Sequence, residues 1–260
     1  MQILFVGDVI GKPGRRVLFR ALESLAGQHD IELVIVNAEN AAGGFGVTRS
    51  VVDEFFAHGV DVLTSGNHIW DKREVFEFID DEPRLLRPQN YPDSSPGKGW
   101  LVVTARNGAR VGILNIMGTV FMHPALDCPF RCADRVLARR PEDVKVIFVD
   151  FHAEATSEKQ AMGRYLDGQV SAVVGSHTHV PTADECVLPK GTAFISDAGM
   201  TGCYDSVIGM EVEGSVRRFV ERLPERLTVA TGKSTLCGVI ITVDPATGVS
   251  SEIERLRISE

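Results

Sequence analysis

Seven side chains with metal-ligand chemistry are distributed along this chain in five short segments: Asp8; Glu39 and Asn40; Asn67; His152; and the pair His177 and His179. Carboxylate and amide oxygens combined with imidazole nitrogens suit iron, manganese or zinc better than a soft-metal thiolate site does. An eighth residue, His68, directly follows Asn67 and can approach a substrate from beside a metal. The set predicts one pocket doing metal-dependent hydrolysis.

Taken singly, several of these residues have plainer readings. Asp8 follows Gly7 and can cap a helix or turn. Asn40 and Asn67 are ordinary turn formers, and His68 can be a surface residue after such a turn. Glu39 fits that pattern less well, because Glu is a poor cap and costly in a core without a partner. A bridging position between two cations removes the cost. His177 and His179 flank one residue, so on an extended segment both rings face the same side. Packing does not explain two imidazoles so placed, and imidazole is the commonest metal ligand. His29 and His58 fall near predicted helix ends as surface or capping residues, while His123 sits in an irregular loop within reach of the pocket.

The elements that must gather these residues are legible from their flanks. Each segment ends an apolar run: ILFVG, LVIVNA, VLTSG, VIFVDF and AVVGS. Such runs read as buried strands, and open α/β sheets bind ligands beyond the carboxyl ends of their strands. Helical patterns in RRVLFRALESLAG, SVVDEFFAHG and KREVFEFID alternate with the first strands, which predicts successive βαβ units. Past a Pro-, Gly- and Ser-rich stretch, WLVVTA and RVGILNIMG flank Asn107-Gly108 as a hairpin. A poorly periodic loop from Gly118 to Phe130 leads to VKVIFVDF, a helix near SEKQAMGRYLDG, and SAVVGS; TAFISDAG and LCGVIITVD resume the strand pattern. The expectation is one α/β domain over residues 1–260, with two sheets and helices outside.

Composition narrows the function. A formal net charge of −8 argues against binding a nucleic acid polymer through a general basic surface. A small phosphate ester stays compatible, since bound cations reverse the local charge. The opening MQILFVGDVIGK lacks the basic leader and cleavage site of a signal peptide, and no stretch is long enough to span a membrane. Five cysteines, an odd number, predict reduced thiols and a cytoplasmic location. Cys128 and Cys132 have the spacing of half a zinc knuckle, without a second pair to complete it. The Gly-rich turn Ala41–Gly46 is a weak signal for backbone approach to phosphate, and GKPGR lacks the spacing of a P-loop.

Taken in order, GDVIGKPGR, NAEN, SGNHIWD, DFHAEATSEK, GSHTHVPTAD and DAGMTGCYDSVIGM resemble the bacterial YmdB-like branch of the calcineurin-type metallophosphoesterases. The resemblance covers nearly the whole chain. It implies a four-layer α/β/β/α sandwich with two mixed sheets and a binuclear metal site. Asp8, Glu39, Asn40 and His179 would hold one metal; Glu39, Asn67, His152 and His177 would hold the other, with Glu39 bridging. The wider superfamily has His two positions after the first Asp, where this chain has Ile10; in this branch Asn40 takes up the vacancy. The resemblance favours iron, with manganese or zinc as substitutes, and a cyclic-nucleotide phosphodiesterase, above all for 2′,3′-cyclic nucleotides. A metal-bridging hydroxide would attack while His68 protonates the leaving oxygen as general acid. A broad phosphomonoesterase using the same metals, or a regulatory protein with a structural metal site, is the alternative. A homo-oligomer is compatible with either.

Overall fold

The computed structural model describes residues 1–25 and 27–260. In chain order its elements are β1 (Gln2–Val6), α1 (Gly11–Leu25), β2 (Ile31–Asn37), α2 (Arg49–Ala57), β3 (Val62–Thr64), β4 (Trp100–Thr104) and β5 (Arg110–Met117). They continue with α3 (Pro129–Leu137), β6 (Val146–His152), α4 (Thr156–Leu166), β7 (Ala172–Ser176), β8 (Cys186–Val187), β9 (Ala193–Ile195), β10 (Gly202–Cys203), α5 (Val212–Glu221), β11 (Ser234–Val243) and β12 (Ser250–Ser259).

Why the first strands read as unbroken apolar runs is visible in where their residues go. Leu4 and Val6 of β1 meet α1 and α2 in one apolar cluster, whereas Ile3 and Phe5 enter another between the sheets. Across that second cluster the Phe5 ring lies 5.2 Å from that of Phe148 on β6. The neighbours of Phe148, namely Ile147, Val149 and Phe151, face a third cluster with Met162 and Leu166 of α4 and Ala133 and Leu137 of α3. A strand covered on both faces has no polar side to alternate with.

Three apolar layers between four layers of elements make an α/β/β/α sandwich. The first sheet runs β10-β11-β1-β2-β3, with β12 beside β11; the second runs β4-β5-β6-β7-β9-β8. Both are mixed: β1, β2 and β3 are parallel but β11 opposes β1, and β5, β6, β7 and β9 are parallel but β4 opposes β5. The β4–β5 hairpin turns at Asn107-Gly108, where Gly108 takes φ +85°.

Three expectations need correction. KREVFEFID forms only a single 3-10 turn, Arg73–Glu77, without a side-chain cap at Lys72; Val75, Phe78 and Ile79 still enter the first cluster. Its apolar spacing reflects burial, and Pro83 ends the segment before a longer helix can form. The irregular loop also stops earlier than Phe130, since Pro129 opens α3, a position proline favours. The chain after Gly202, read only as strand, also builds α5 and β12. Of α5 only Ser215 is buried, and its apolar residues Val212, Val216, Phe219 and Val220 stay exposed, so the helix is not a core element.

Candidate metal centre

All seven candidate ligands and His68 come together where the carboxyl ends of the two sheets meet. Asp8 follows β1, Glu39 and Asn40 follow β2, and Asn67 and His68 follow β3. His152 closes β6, and His177 and His179 follow β7. Two glycines allow the close approach. A Cβ on Gly7 would lie 1.9 Å from the Gly199 carbonyl oxygen, and one on Gly66 would lie 2.2 Å from the His152 ring and 2.4 Å from Glu39 Oε2.

Around His152 Nε2 stand Asn67 Oδ1 at 3.0 Å, Glu39 Oε1 at 3.1 Å and His177 Nδ1 at 3.1 Å. Bonds of about 2.1 Å to one cation place neighbouring ligands roughly 3 Å apart, so this spacing is that of a coordination shell. Asp8, Glu39 and His179 form a second group, and Glu39 belongs to both. Asp8 Oδ1, Glu39 Oε1 and Asn40 Oδ1 are buried without a hydrogen-bond partner. Buried oxygens are rarely left so. Three converging oxygens of this kind, beside imidazole nitrogens, fit metal ions.

Each imidazole is turned the same way. His152 Nδ1 donates to Ser176 Oγ (2.9 Å), His179 Nδ1 to the Ile208 carbonyl (2.8 Å), and His177 Nε2 lies 3.1 Å from Glu154 Oε2. A proton held on the outer nitrogen leaves the inner nitrogen's lone pair facing the cluster. Asn40 does likewise, its Nδ2 donating to the Gly44 carbonyl (2.9 Å) and its Oδ1 left free.

Charge in the cluster is tightly balanced. Burial alone would raise Glu39 and lower His152; their attraction reverses both, holding the Glu39 carboxyl below and the His152 imidazole above its ordinary value. Burial raises Asp8 despite His179 and His152, while burial and the charge on His152 push His177 down to about 3. The carboxylates therefore demand a positive charge at their centre. A divalent cation meets that demand and displaces the proton.

The expectation that His177 and His179 share one face of an extended segment is wrong. Strand β7 ends at Ser176, and His177 and His179 adopt φ +101° and +66°. The chain turns at each, so His177 joins the His152 group and His179 the Asp8 group. Non-glycine residues hold such backbone only where the surroundings enforce it. Here Asp197 accepts from Thr178 N (3.1 Å) and Oγ1 (2.8 Å), and is itself paired with the buried Lys159 (2.7 Å).

Several supporting residues escaped the sequence reading. Asp150 accepts from Ser176 Oγ (2.6 Å), Asn37 Nδ2 (3.1 Å) and Thr64 Oγ1, and so holds the hydroxyl that orients His152. Burial raises Asp150 to about 6, although His152 and these hydrogen bonds oppose it. Its signal was available as the one charged residue inside VIFVDF. Asp71, three residues after His68, lies 2.8 Å from its Nδ1, and the His68 backbone N–H donates to Glu39 Oε2 (3.3 Å). His123 is exposed and does not line the cleft over the cluster. His58 ends α2 and stacks on Phe19, with ring centres 3.9 Å apart.

The sequence profile of the YmdB-like protein family matches residues 4–256. The chain belongs to the YmdB-like family. A relative from Bacillus subtilis (strain 168), named 2′,3′-cyclic-nucleotide 2′-phosphodiesterase, is 49% identical over 100% of this chain and 98% of its own length. A Thermus thermophilus protein of known structure is 40% identical, with TM-score 0.93 over 100% of both chains. A structure described as a novel phosphatase from Mycoplasma pneumoniae is 36% identical, with TM-score 0.94 over 100% of this chain and 94% of that one. The four-layer sandwich is thus a metallophosphoesterase sandwich. Among the described residues of this YmdB-like chain, no helix is long and apolar enough to cross a membrane.

Proposed function

We propose that this chain is a binuclear-metal phosphodiesterase acting on cyclic nucleotides, 2′,3′-cyclic nucleotides above all. The observation that carries the reading is Glu39, shared by two candidate ligand groups, beside the buried oxygens Asp8 Oδ1, Glu39 Oε1 and Asn40 Oδ1 that otherwise lack hydrogen-bond partners. In this reading Asp8, Glu39, Asn40 and His179 hold one cation, and Glu39, Asn67, His152 and His177 the other. Cations there supply Lewis acidity toward a phosphoryl group and an activated water. The 2′,3′-cyclic substrate is the one in the name of the relative that is 49% identical. Iron is the favoured metal, with manganese or zinc as substitutes.

The protein's own groups do the rest. His68 lines the cleft over the cluster, with Nδ1 turned to Asp71 and the Phe45 ring edge-on, centres 5.0 Å apart. Its Nε2 is then the atom that donates a proton to the departing oxygen. Asp71 orients the ring, as a carboxylate behind a histidine does. The His68 N–H to Glu39 hydrogen bond ties the acid to the bridging carboxylate, so proton donor and metal cluster keep a fixed spacing.

The test is twofold. Protein purified without added metal should contain two transition-metal ions per chain by elemental analysis. It should then hydrolyse adenosine 2′,3′-cyclic phosphate with higher kcat/KM than the 3′,5′-cyclic isomer or a simple phosphomonoester. Preference for the monoester would replace the proposal with a phosphomonoesterase. Metal binding without hydrolysis of any ester would leave a structural site.

A further inference from the structure

We propose that the wall of the cleft facing the ligand cluster is a nucleobase subsite, where Phe219, Phe45, Ile208, Met210 and Leu227 hold a base by stacking and apolar contact without reading its edge. This deepens the cyclic-nucleotide reading and rests on it. The cleft has a volume of about 510 Å³, within the range of small-molecule sites. Its floor includes Glu39, Asn40, His177 and His179, so the phosphate of any substrate belongs there. Whatever the phosphate carries then meets the apolar lining formed by Phe45 and residues 207–227.

That wall is apolar where it is open. Phe219 on α5 is 70% exposed and Ile208 51% exposed, and only surface still wet gains from being covered. An aromatic face accepts any base, with stacking worth about 1–3 kcal/mol. Base edges, by contrast, would find few partners. Of the other polar side chains lining the cleft, His68 Nδ1 is turned to Asp71, Glu154 lies 3.1 Å from His177 Nε2, Thr178 Oγ1 donates to Asp197 (2.8 Å) and the Ser215 hydroxyl donates to the Glu211 carbonyl (2.8 Å). Arg218 forms no ion pair among the described residues, and its charge draws an anionic ester into the cleft.

The wall is also tied to the floor. The Ile208 carbonyl accepts from His179 Nδ1 at 2.8 Å while Ile208 holds φ +46°. Gly209 N donates to Ser206 Oγ (2.9 Å), and Val207 and Met210 exchange backbone hydrogen bonds (2.9 and 3.0 Å). One contact therefore both orients a candidate ligand and sets the apolar residue beside it, which fixes the distance from phosphate to base.

The experiment compares adenosine and cytidine 2′,3′-cyclic phosphates with glycerol 1,2-cyclic phosphate, which has the reacting ring but no base. In Phe219→Ala the ratio of kcat/KM for either nucleotide to that for the glycerol ester should fall about tenfold, through KM, and Phe219→Trp should keep it. An unchanged ratio, or a fall for one base alone, overturns the subsite. So does an unchanged ratio with a lower light-scattering mass, which would assign the helix face to a contact between copies. Adenosine binding by equilibrium dialysis separates the two layers of the argument. Wild type that hydrolyses neither cyclic ester, yet binds adenosine through Phe219, sinks the substrate reading and keeps the subsite; binding unaffected by Phe219→Ala sinks the subsite.

Discussion

The two sheets bring opposite chemistry to one place. The first sheet ends in oxygens: Asp8 after β1, Glu39 and Asn40 after β2, Asn67 after β3. The second ends in imidazoles: His152 on β6, His177 and His179 after β7. Between the sheets the contact is apolar at Phe5 and Phe148, and it turns polar beneath the cluster, where Asn37 and Thr64 of the first sheet meet Asp150 of the second. An anionic half and a half that must stay neutral to coordinate are thus kept on separate sheets until the fold closes. Neither sheet alone supplies both candidate ligand groups.

The hardest way to break this division is at the residue that spans it. Glu39→Gln keeps the shape and removes the charge shared by both ligand groups. Turnover should fall on the order of a thousandfold or more, and metal content from two ions to at most one per chain, measured by elemental analysis. Retention of both ions would mean that Glu39 does not bridge.

His68 is the exception on the oxygen-bearing sheet, an imidazole there proposed as an acid instead of a ligand. His68→Ala should lower kcat by about a hundred- to ten-thousandfold and leave metal content unchanged. Loss of metal would make it a ligand and end the separation of acid from cluster. Asp71→Asn should follow it more weakly, with kcat affected more than KM.

Much of the candidate site was legible because candidate ligands at strand ends punctuate apolar runs, as Asp8 does after ILFVG and His152 within VIFVDFH. The layers were legible for the same reason. What escaped was set by long-range geometry. The turn at His177–His179 depends on Asp197 and Lys159, distant in sequence, and no local pattern distinguishes it from extended chain. Asp150 acts only through Ser176 and against Asn37 and Thr64, none of which neighbours it in sequence. Helix α5 has an apolar stripe, Val212, Val216, Phe219 and Val220, but the stripe stays exposed, so it does not mark a helix packed on a sheet.

Smaller effects should appear where the second sheet orients its own imidazole. Ser176→Ala removes the oxygen that accepts from His152 Nδ1 and should weaken metal affinity ten- to a hundredfold, read by competition with a chelator. The far-ultraviolet circular dichroism should be unchanged. Equal loss from a Thr242→Ala control, remote from the cluster on β11, would show that the effect is general destabilisation instead of orientation.

The gentlest test sits where the apolar contact between sheets turns polar. On β3, Val62 and Thr64 share a face; Val62 lies in the apolar layer, while Thr64 Oγ1 donates to Asp150. If the layer were simply apolar throughout, Thr64→Val would stabilise the protein, since it trades a buried hydroxyl for a methyl of the same shape. Asp150 would then lose one of three donors while staying fully buried, and a hydrogen bond to a buried carboxyl outweighs a methyl. Stability should therefore fall by about 1–2 kcal/mol, seen as a lower urea midpoint at unchanged slope. A gain in stability would mean that the polar seam is incidental to how the sheets meet.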